Sequence, residues 1–427
     1  MKITYVYSAC LEIETSNLRI LTDPWFTEGI FGGSWFQYPR IDPFDLIKEP
    51  DYIYISHIHP DHYDPIFIQQ IFERYGRKPI LIPEFKKNYL FMKAKSDGIE
   101  TQPIKEFTSG NTKLFIEEND MGSLSDIDSA LIVHDLDSKQ IMLNLNDCVF
   151  NLPHAMKLKS IIDSLDGELG LMALGYAGAS SYPHTYFDIE KDLGLMIKEA
   201  NYKKQKGFER YKSFKDFFNA KYRLPFAGEY LLGSHLSHLN HYRGVPDTFE
   251  IKDIDHDALV LNPGGSINLE SGSRSHERKS LYPRDEIDMR IKEISNMSLD
   301  YEKDFCIDCK KIDFFRIIKK AFNNALSKSE ITGKYAFIFT ILDQDIHHKR
   351  FLLNCSDGEL SEISENYKCK ESAYSEILID YRLLFGLLTG LYHWNNADIG
   401  SLFMTRRFPY DNFNRSAQSF LNFFSIV

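Results

Sequence analysis

Between positions 57 and 62 the chain reads His57-Ile58-His59-Pro60-Asp61-His62. Three imidazoles and a carboxylate this close are costly to bury without partners. All four are of metal-ligating type. Two histidines at i and i+2 can face one cation, and Asp61 with His62, one turn later, can face a second. The spacing therefore suits a binuclear site, in which two metals share one hydroxide or oxygen species.

The cluster follows a short apolar run at 52–56 (YIYIS), which predicts a buried strand. Before it lie β-rich runs at 3–7 and 18–22, ending in Asp23-Pro24-Trp25. Residues 26–39 form a Gly- and aromatic-rich loop, read here as a lid. After it, Asp64-Pro65 opens a helix through Arg74 that stops at Gly76. A strand is expected at 79–82, strands and turns from 112 to 147, and another strand at 169–174. Residues 186–225 read as helical with a charged, solvated face. The run 258–262 ends in a turn at Pro263-Gly264-Gly265, and the polar stretch 271–279 predicts a linker. Beyond about 285 the pattern changes to an amphipathic helix at 314–326, paired strands at 335–342 and 349–355, and a long apolar helix at 376–392. The chain is expected to divide into an α/β metal-binding domain, 1–285, and a smaller α+β domain, 286–427.

Composition narrows the class. In 427 residues, 43% are hydrophobic and 26% charged, the balance of a soluble globular protein. The 32 Phe and 24 Tyr exclude disorder as the dominant state. No apolar run approaches the ~20 residues of a membrane span, and the start is not patterned as a signal peptide. A net charge of −11 argues against nonspecific nucleic-acid binding. Six cysteines are too few for a disulfide scaffold, so a cytoplasmic protein with reduced thiols is expected. A homodimer is compatible with the sequence, which does not fix the oligomeric state.

His-x-His-x-Asp-His after a strand resembles the signature of the metallo-β-lactamase fold superfamily, which implies an αββα sandwich with two metals at the sheet edges. Further segments resemble the metallo-β-lactamase-fold part of CMP-N-acetylneuraminic acid hydroxylases: Ser8-Ala9-Cys10, Thr22-Asp23-Pro24-Trp25, Leu143-Asn144-Leu145-Asn146-Asp147-Cys148, residues 175–183, Pro225-Phe226-Ala227-Gly228 with Ser234-His235, and Asn262-Pro263-Gly264-Gly265. These span roughly residues 1–270. The chain has no Cys-His pairs for the Rieske cluster of that family, so no built-in electron delivery is expected.

The resemblance implies His57 and His59 on the first metal, Asp61 and His62 on the second, and Asp147 as bridging carboxylate. His235 matches the terminal ligand of the second metal, with His238 and His241 as neighbours. Most hydrolases of the superfamily supply a histidine as third ligand of the first metal. Residues 116–123 here contain none, so Asp120 is preferred, then Glu118, with His134 read as a strand histidine outside the site. Asp23 is expected to hold a ligating imidazole in its tautomer, or to be a turn residue before Pro24. Trp25, Trp35 and Tyr182 are candidates to bind substrate.

This donor set is rich in oxygen and lacks thiolate, which favours iron over zinc or manganese. It supports an O2-dependent di-iron oxygenase acting on a polar or sugar-like metabolite and using an external electron donor. The alternative is a hydrolase of an ester, phosphoester or amide, with Asp61 or Asp147 orienting a metal-bridging hydroxide. The C-terminal segment Trp394-Asn395-Asn396-Ala397-Asp398-Ile399-Gly400 is similar to sterol-carrier-protein-type folds, which implies either a groove for a substrate tail or a dimerisation face. Cys306-Ile307-Asp308-Cys309, with Cys355 and Cys369, is read as free thiols or as a zinc site.

Overall fold

The structure is a computed structural model. It describes all residues except 122–126, 306–307, 330, 332–333, 344–345 and 412.

Two sheets face each other in the first two-thirds of the chain. One has eight strands, in the order Arg274–Glu277, Leu261–Asn268, Lys2–Tyr7, Cys10–Glu14, Arg19–Thr22, Tyr52–Tyr54, Ile80–Pro83 and Gln102–Ile104. The other has six: Tyr222–Phe226, Glu168–Gly175, Gln140–Asn144, Ser129–Asp135, Thr112–Glu118 and Glu106–Ser109. Alternation along the strands makes the sandwich. Ile3, Tyr5, Leu11 and Ile13 from one sheet meet Leu114, Ile116, Leu131 and Val133 from the other in one apolar layer. The outer face of the first sheet is covered by the helices Pro65–Tyr75 and Tyr89–Ser96, through Phe67, Ile68, Ile71 and Leu90. The outer face of the second is covered by Leu152–Ser164 and Leu193–Phe217. The layers are thus α, β, β, α.

The expected stop and start signals hold around the cluster. Asp64 accepts a hydrogen bond from the Phe67 amide as N-cap, Pro65 takes the first helical position, and Gly76 ends the helix.

The C-terminal part is α+β. Its five-stranded sheet runs Glu359–Glu362, Ile346–Asn354, Ala336–Asp343, Tyr374–Asp380, Met404–Phe408. Helices Phe314–Lys328, Tyr381–Thr389, Trp394–Ile399 and Arg415–Asn422 pack on it.

Three local expectations are corrected. The stretch 271–279 is no linker: Arg274–Glu277 is the edge strand of the larger sheet. The turn at 263–265 lies inside the strand Leu261–Asn268, where the register with its neighbour shifts. The helix expected at 376–392 is a strand, Tyr374–Asp380, followed by a helix, Tyr381–Thr389. Ser375, Ile377 and Ile379 alternate inward, a period of two that outweighs the summed apolarity. Asp380 then caps the helix, accepting from the Arg382 amide.

The loop 26–39, read as a lid, is packed into the fold. Phe31, Trp35 and Phe36 are buried, and Trp35–Phe36 pairs with Leu231–Leu232. Apolar rings gain more from burial than from covering a wet site. Phe31 and Trp35 join Tyr7, Trp25 and Tyr230 in one cluster with Phe337, Trp394 and Phe403 from the C-terminal part. Among the described residues no helix is long and apolar enough to cross a membrane.

Candidate metal centre

The site lies where several strands of the two facing sheets end. Its hub is Asp23, at the end of Arg19–Thr22 and wholly buried. The Asp23 carboxylate accepts from the Ser56 amide (2.7 Å) and the Ser56 hydroxyl (2.8 Å). Ser56 Oγ then lies 2.9 Å from His57 Nδ1 and 3.2 Å from His62 Nδ1, and Asp23 Oδ2 is 3.2 Å from His62 Nδ1. The Ser56 hydroxyl hydrogen is committed to Asp23, so both Nδ1 atoms donate N–H. The Nε2 atoms of His57 and His62 are left as lone pairs facing inward.

His59 is turned the other way. Its Nδ1 lies 3.0 Å from His57 Nε2, and its Nε2 lies 3.0 Å from Asn395 Oδ1. An amide oxygen only accepts, so His59 Nε2 carries the proton and Nδ1 is bare. Two bare nitrogens 3.0 Å apart repel unless a cation or a proton lies between them. His57 Nε2 is also 3.8 Å from Asp128 Oδ1. On the other side, His62 Nε2 faces Asp61 Oδ2 at 3.6 Å and Asp147 Oδ2 at 3.7 Å. Ligand atoms of His57, His62 and Asp147 all lie within 4.8 Å of one another. The donor set fits metal: the outward nitrogens are held by Ser56, Asp23 and Asn395, and the inward ones face one another and the carboxylates of Asp61, Asp128 and Asp147.

Backbone strain collects beside this centre. Asp23 (φ 40°) and Asn146 (φ 46°) are non-glycine residues in left-handed conformation. Asn146 precedes Asp147 and donates to the Ser129 carbonyl at 3.1 Å, which sets the Asp147 loop.

Burial pushes the pKa of His57 well down, and that of His59 to about 4, which favours the neutral, ligand-competent imidazole. Burial also opposes protonated His62, but Asp61, Asp23 and Asp147 outweigh it and raise its pKa. Burial raises Asp61 to about 6. Burial works against the Asp147 charge too, yet His62, Arg210 and His59 outweigh it and lower its pKa.

Residues 2–125 match the family model of the beta-lactamase superfamily domain. The chain carries the metallo-β-lactamase fold. A Mycolicibacterium smegmatis protein named as a Rieske 2Fe-2S iron-sulfur protein is 28% identical over 267 residues, 58% of this chain and 47% of that protein. The cytidine monophosphate-N-acetylneuraminic acid hydroxylase of Danio rerio is 26% identical over 190 residues, 43% of this chain and 30% of that protein. The chain therefore spans less than half the length of these curated relatives. The solved isothiocyanate hydrolase from Delia radicum gut bacteria aligns with 63% of this chain and 99% of its own, at 16% identity and a TM-score of 0.43.

Within this metallo-β-lactamase-fold domain the structure brings His57, His59, Asp61, His62, Asp147 and Asp23 together. Asp120 is not. It is exposed past the end of Thr112–Glu118, where its carbonyl accepts from Asn151. Glu118 stands opposite Ser129 in the ladder, and among the described residues no ion pair joins it to His57 or His59. His134 is buried mid-strand and bonds the Asp166 carbonyl at 3.2 Å. The carboxylate set against His57 is Asp128, which sequence reasoning missed. The signal was there: Asp128 stands directly before the strand Ser129–Asp135, as ligands often do. Ser129 fixes it, since its hydroxyl donates to the Ser56 carbonyl at 2.9 Å and ties that strand to the His57 segment.

His235 is also outside the gathered group. It is exposed at the start of Ser234–Tyr242, with the Ser234 hydroxyl 3.4 Å from its ring. His238 bonds the His235 carbonyl, and His241 faces Asp288 at 3.7 Å. Trp25 and Trp35 are each 1% exposed, too buried to bind substrate as expected. Trp35 stacks on Tyr230 with ring centroids 3.4 Å apart. Tyr182 is half-buried and donates to Glu199. Cys306 lies outside the described residues, and no metal-competent group involves Cys309, Cys355 or Cys369 among those described. Arg210 and Asn395 were not foreseen, because each reaches the site from an element distant in sequence.

Proposed function

We propose that this chain is a binuclear metalloenzyme of the oxygenase type, an O2-dependent di-iron hydroxylase acting on a polar, sugar-like small molecule. The observation that carries the reading is the Asp128 carboxylate, 3.8 Å from His57 Nε2, where the superfamily's hydrolases are expected to have a histidine. With it the candidate donors are three imidazoles and three carboxylates, without thiolate, a set that favours iron. The names of the curated relatives, a hydroxylase and Rieske proteins, agree with oxidative chemistry.

His57, His59 and Asp128 would hold one ion; Asp61, His62 and Asp147 the other. Two iron ions so held supply O2-activating redox chemistry, with electrons from an external donor. The protein's own part is positioning and charge. Ser56 and Asp23 keep the imidazoles of His57 and His62 in one tautomer. Arg210 offsets the charge of Asp147. Burial of His57 and His62 keeps water from their ligating face.

Metal analysis of protein from iron-supplemented cells tests this. About two Fe per chain, with O2 uptake that needs a reductant, is the expected result. Two Zn per chain, with O2-independent cleavage of an ester or phosphoester panel, would overturn it in favour of the hydrolase.

A further inference from the structure

The C-terminal part does not simply neighbour the metal centre. Asn395, on the helix Trp394–Ile399, accepts from His59 Nε2 at 3.0 Å, across 336 residues of sequence. The helix is held firmly in place. Trp394 Nε1 donates to the Phe424 carbonyl at 2.7 Å. Ser181 donates to Asp398 at 2.5 Å, and His184 Nε2 meets Ser401 Oγ at 2.7 Å. The Thr405 amide donates to the Thr185 carbonyl at 2.9 Å. At Gly400 a Cβ would come within 2.6 Å of the Phe31 carbonyl, so that loop and the helix touch backbone to backbone.

The three histidines differ in one respect. His57 and His62 take their orientation from Ser56 and Asp23, inside the metallo-β-lactamase-fold domain. His59 presents the opposite nitrogen, Nδ1, and the hydrogen bond that keeps Nδ1 bare comes from Asn395. Without an acceptor at that point the ring is free to carry its proton on Nδ1, the nitrogen that must be bare to bind.

We propose that Asn395 is a positioning residue for the first metal. The C-terminal part completes that site by fixing the tautomer and ring plane of His59, so that one of the two metals depends on its docking. This rests on the binuclear reading above, but not on whether the chemistry is oxygenase or hydrolase.

The test is a titration of the metal-free full chain with Co2+, read by its visible absorption and by chelator competition. Wild type should show two classes of site. Asn395→Leu, which keeps the volume and loses the acceptor, should weaken one class ten- to hundredfold and leave the other. Asn395→Asp, which keeps an acceptor oxygen, should restore it. Equal affinities in wild type and Asn395→Leu overturn the proposal. So does equal weakening in Asn395→Leu and Asn395→Asp, which would report packing alone. If wild type itself fails to take up two Co2+, the binuclear reading falls, and this inference with it.

Discussion

Asp23 Oδ2 lies 3.2 Å from His62 Nδ1, with both side chains buried. The same carboxylate takes the Ser56 amide and hydroxyl, so one buried acid orients two imidazoles. Asp23→Asn preserves the shape, and asparagine tolerates the left-handed backbone at φ 40° better than alanine would. It removes the charge that favours N–H on His62 Nδ1. Metal affinity should fall about ten- to hundredfold in chelator competition. Unchanged affinity would mean that Ser56 alone sets the tautomers.

Asp120 and Asp128 should behave differently. Asp128 faces His57, while Asp120 is exposed. Asp128→Ala should lose about one metal per chain by elemental analysis, and Asp120→Ala should keep both. The reverse pattern would restore the assignment made from sequence.

Some of this was legible in the sequence for a physical reason. The His57–His62 motif, the Asp64-Pro65 cap and the strand alternation are local, and local rules state them directly. The αββα layering follows from the same periodicities. What was not legible depends on tertiary closure. Asp128 was hidden because Asp120 and Asp128 look equivalent in sequence until Ser129 ties the second to Ser56. His235 matched a segment pattern, yet it lies exposed at the start of a nine-residue 3-10 stretch. Trp25 and Trp35 looked like pocket walls because exposed and buried tryptophans share one sequence signature. Asn395 gave no signal, since nothing in a chain announces contact with a residue 336 positions away.

Asp255 predicts a pH dependence away from the metal. It pairs with Arg223 Nε at 2.6 Å, Tyr211 at 2.9 Å and Lys215 at 3.3 Å, joining the helix Leu193–Phe217 to the strand Tyr222–Phe226. Burial opposes its ionisation, but the bonds from Arg223 and Tyr211 outweigh it and hold its pKa at about 2. A depressed carboxylate adds stability above its unfolded pKa of about 3.9, and the gain is lost as pH falls toward the folded value. Asp255→Asn should cost on the order of 1–2 kcal/mol near neutral pH. The gap in urea midpoint between the two proteins should narrow from about pH 4 to about pH 2. A gap constant from pH 7 to below 3 would show that the charge contributes nothing.

Gly207 sits inside the long helix Leu193–Phe217, where alanine normally gains about 1 kcal/mol over glycine. Here the sign should invert. A Cβ at Gly207 would come within 2.4 Å of the Tyr176 carbonyl oxygen, a backbone atom that cannot swing aside. The helix would have to lift from the sheet, at a cost of about 1–3 kcal/mol. Arg210, nearly one turn further on, would move with it and away from Asp147. Gly194, exposed near the start of the same helix, has nothing within 4 Å of its Cβ position. Gly194→Ala should therefore hold or raise the melting temperature, while Gly207→Ala lowers it and weakens metal binding. Equal shifts in the two variants would mean that propensity, not the Tyr176 contact, governs the helix.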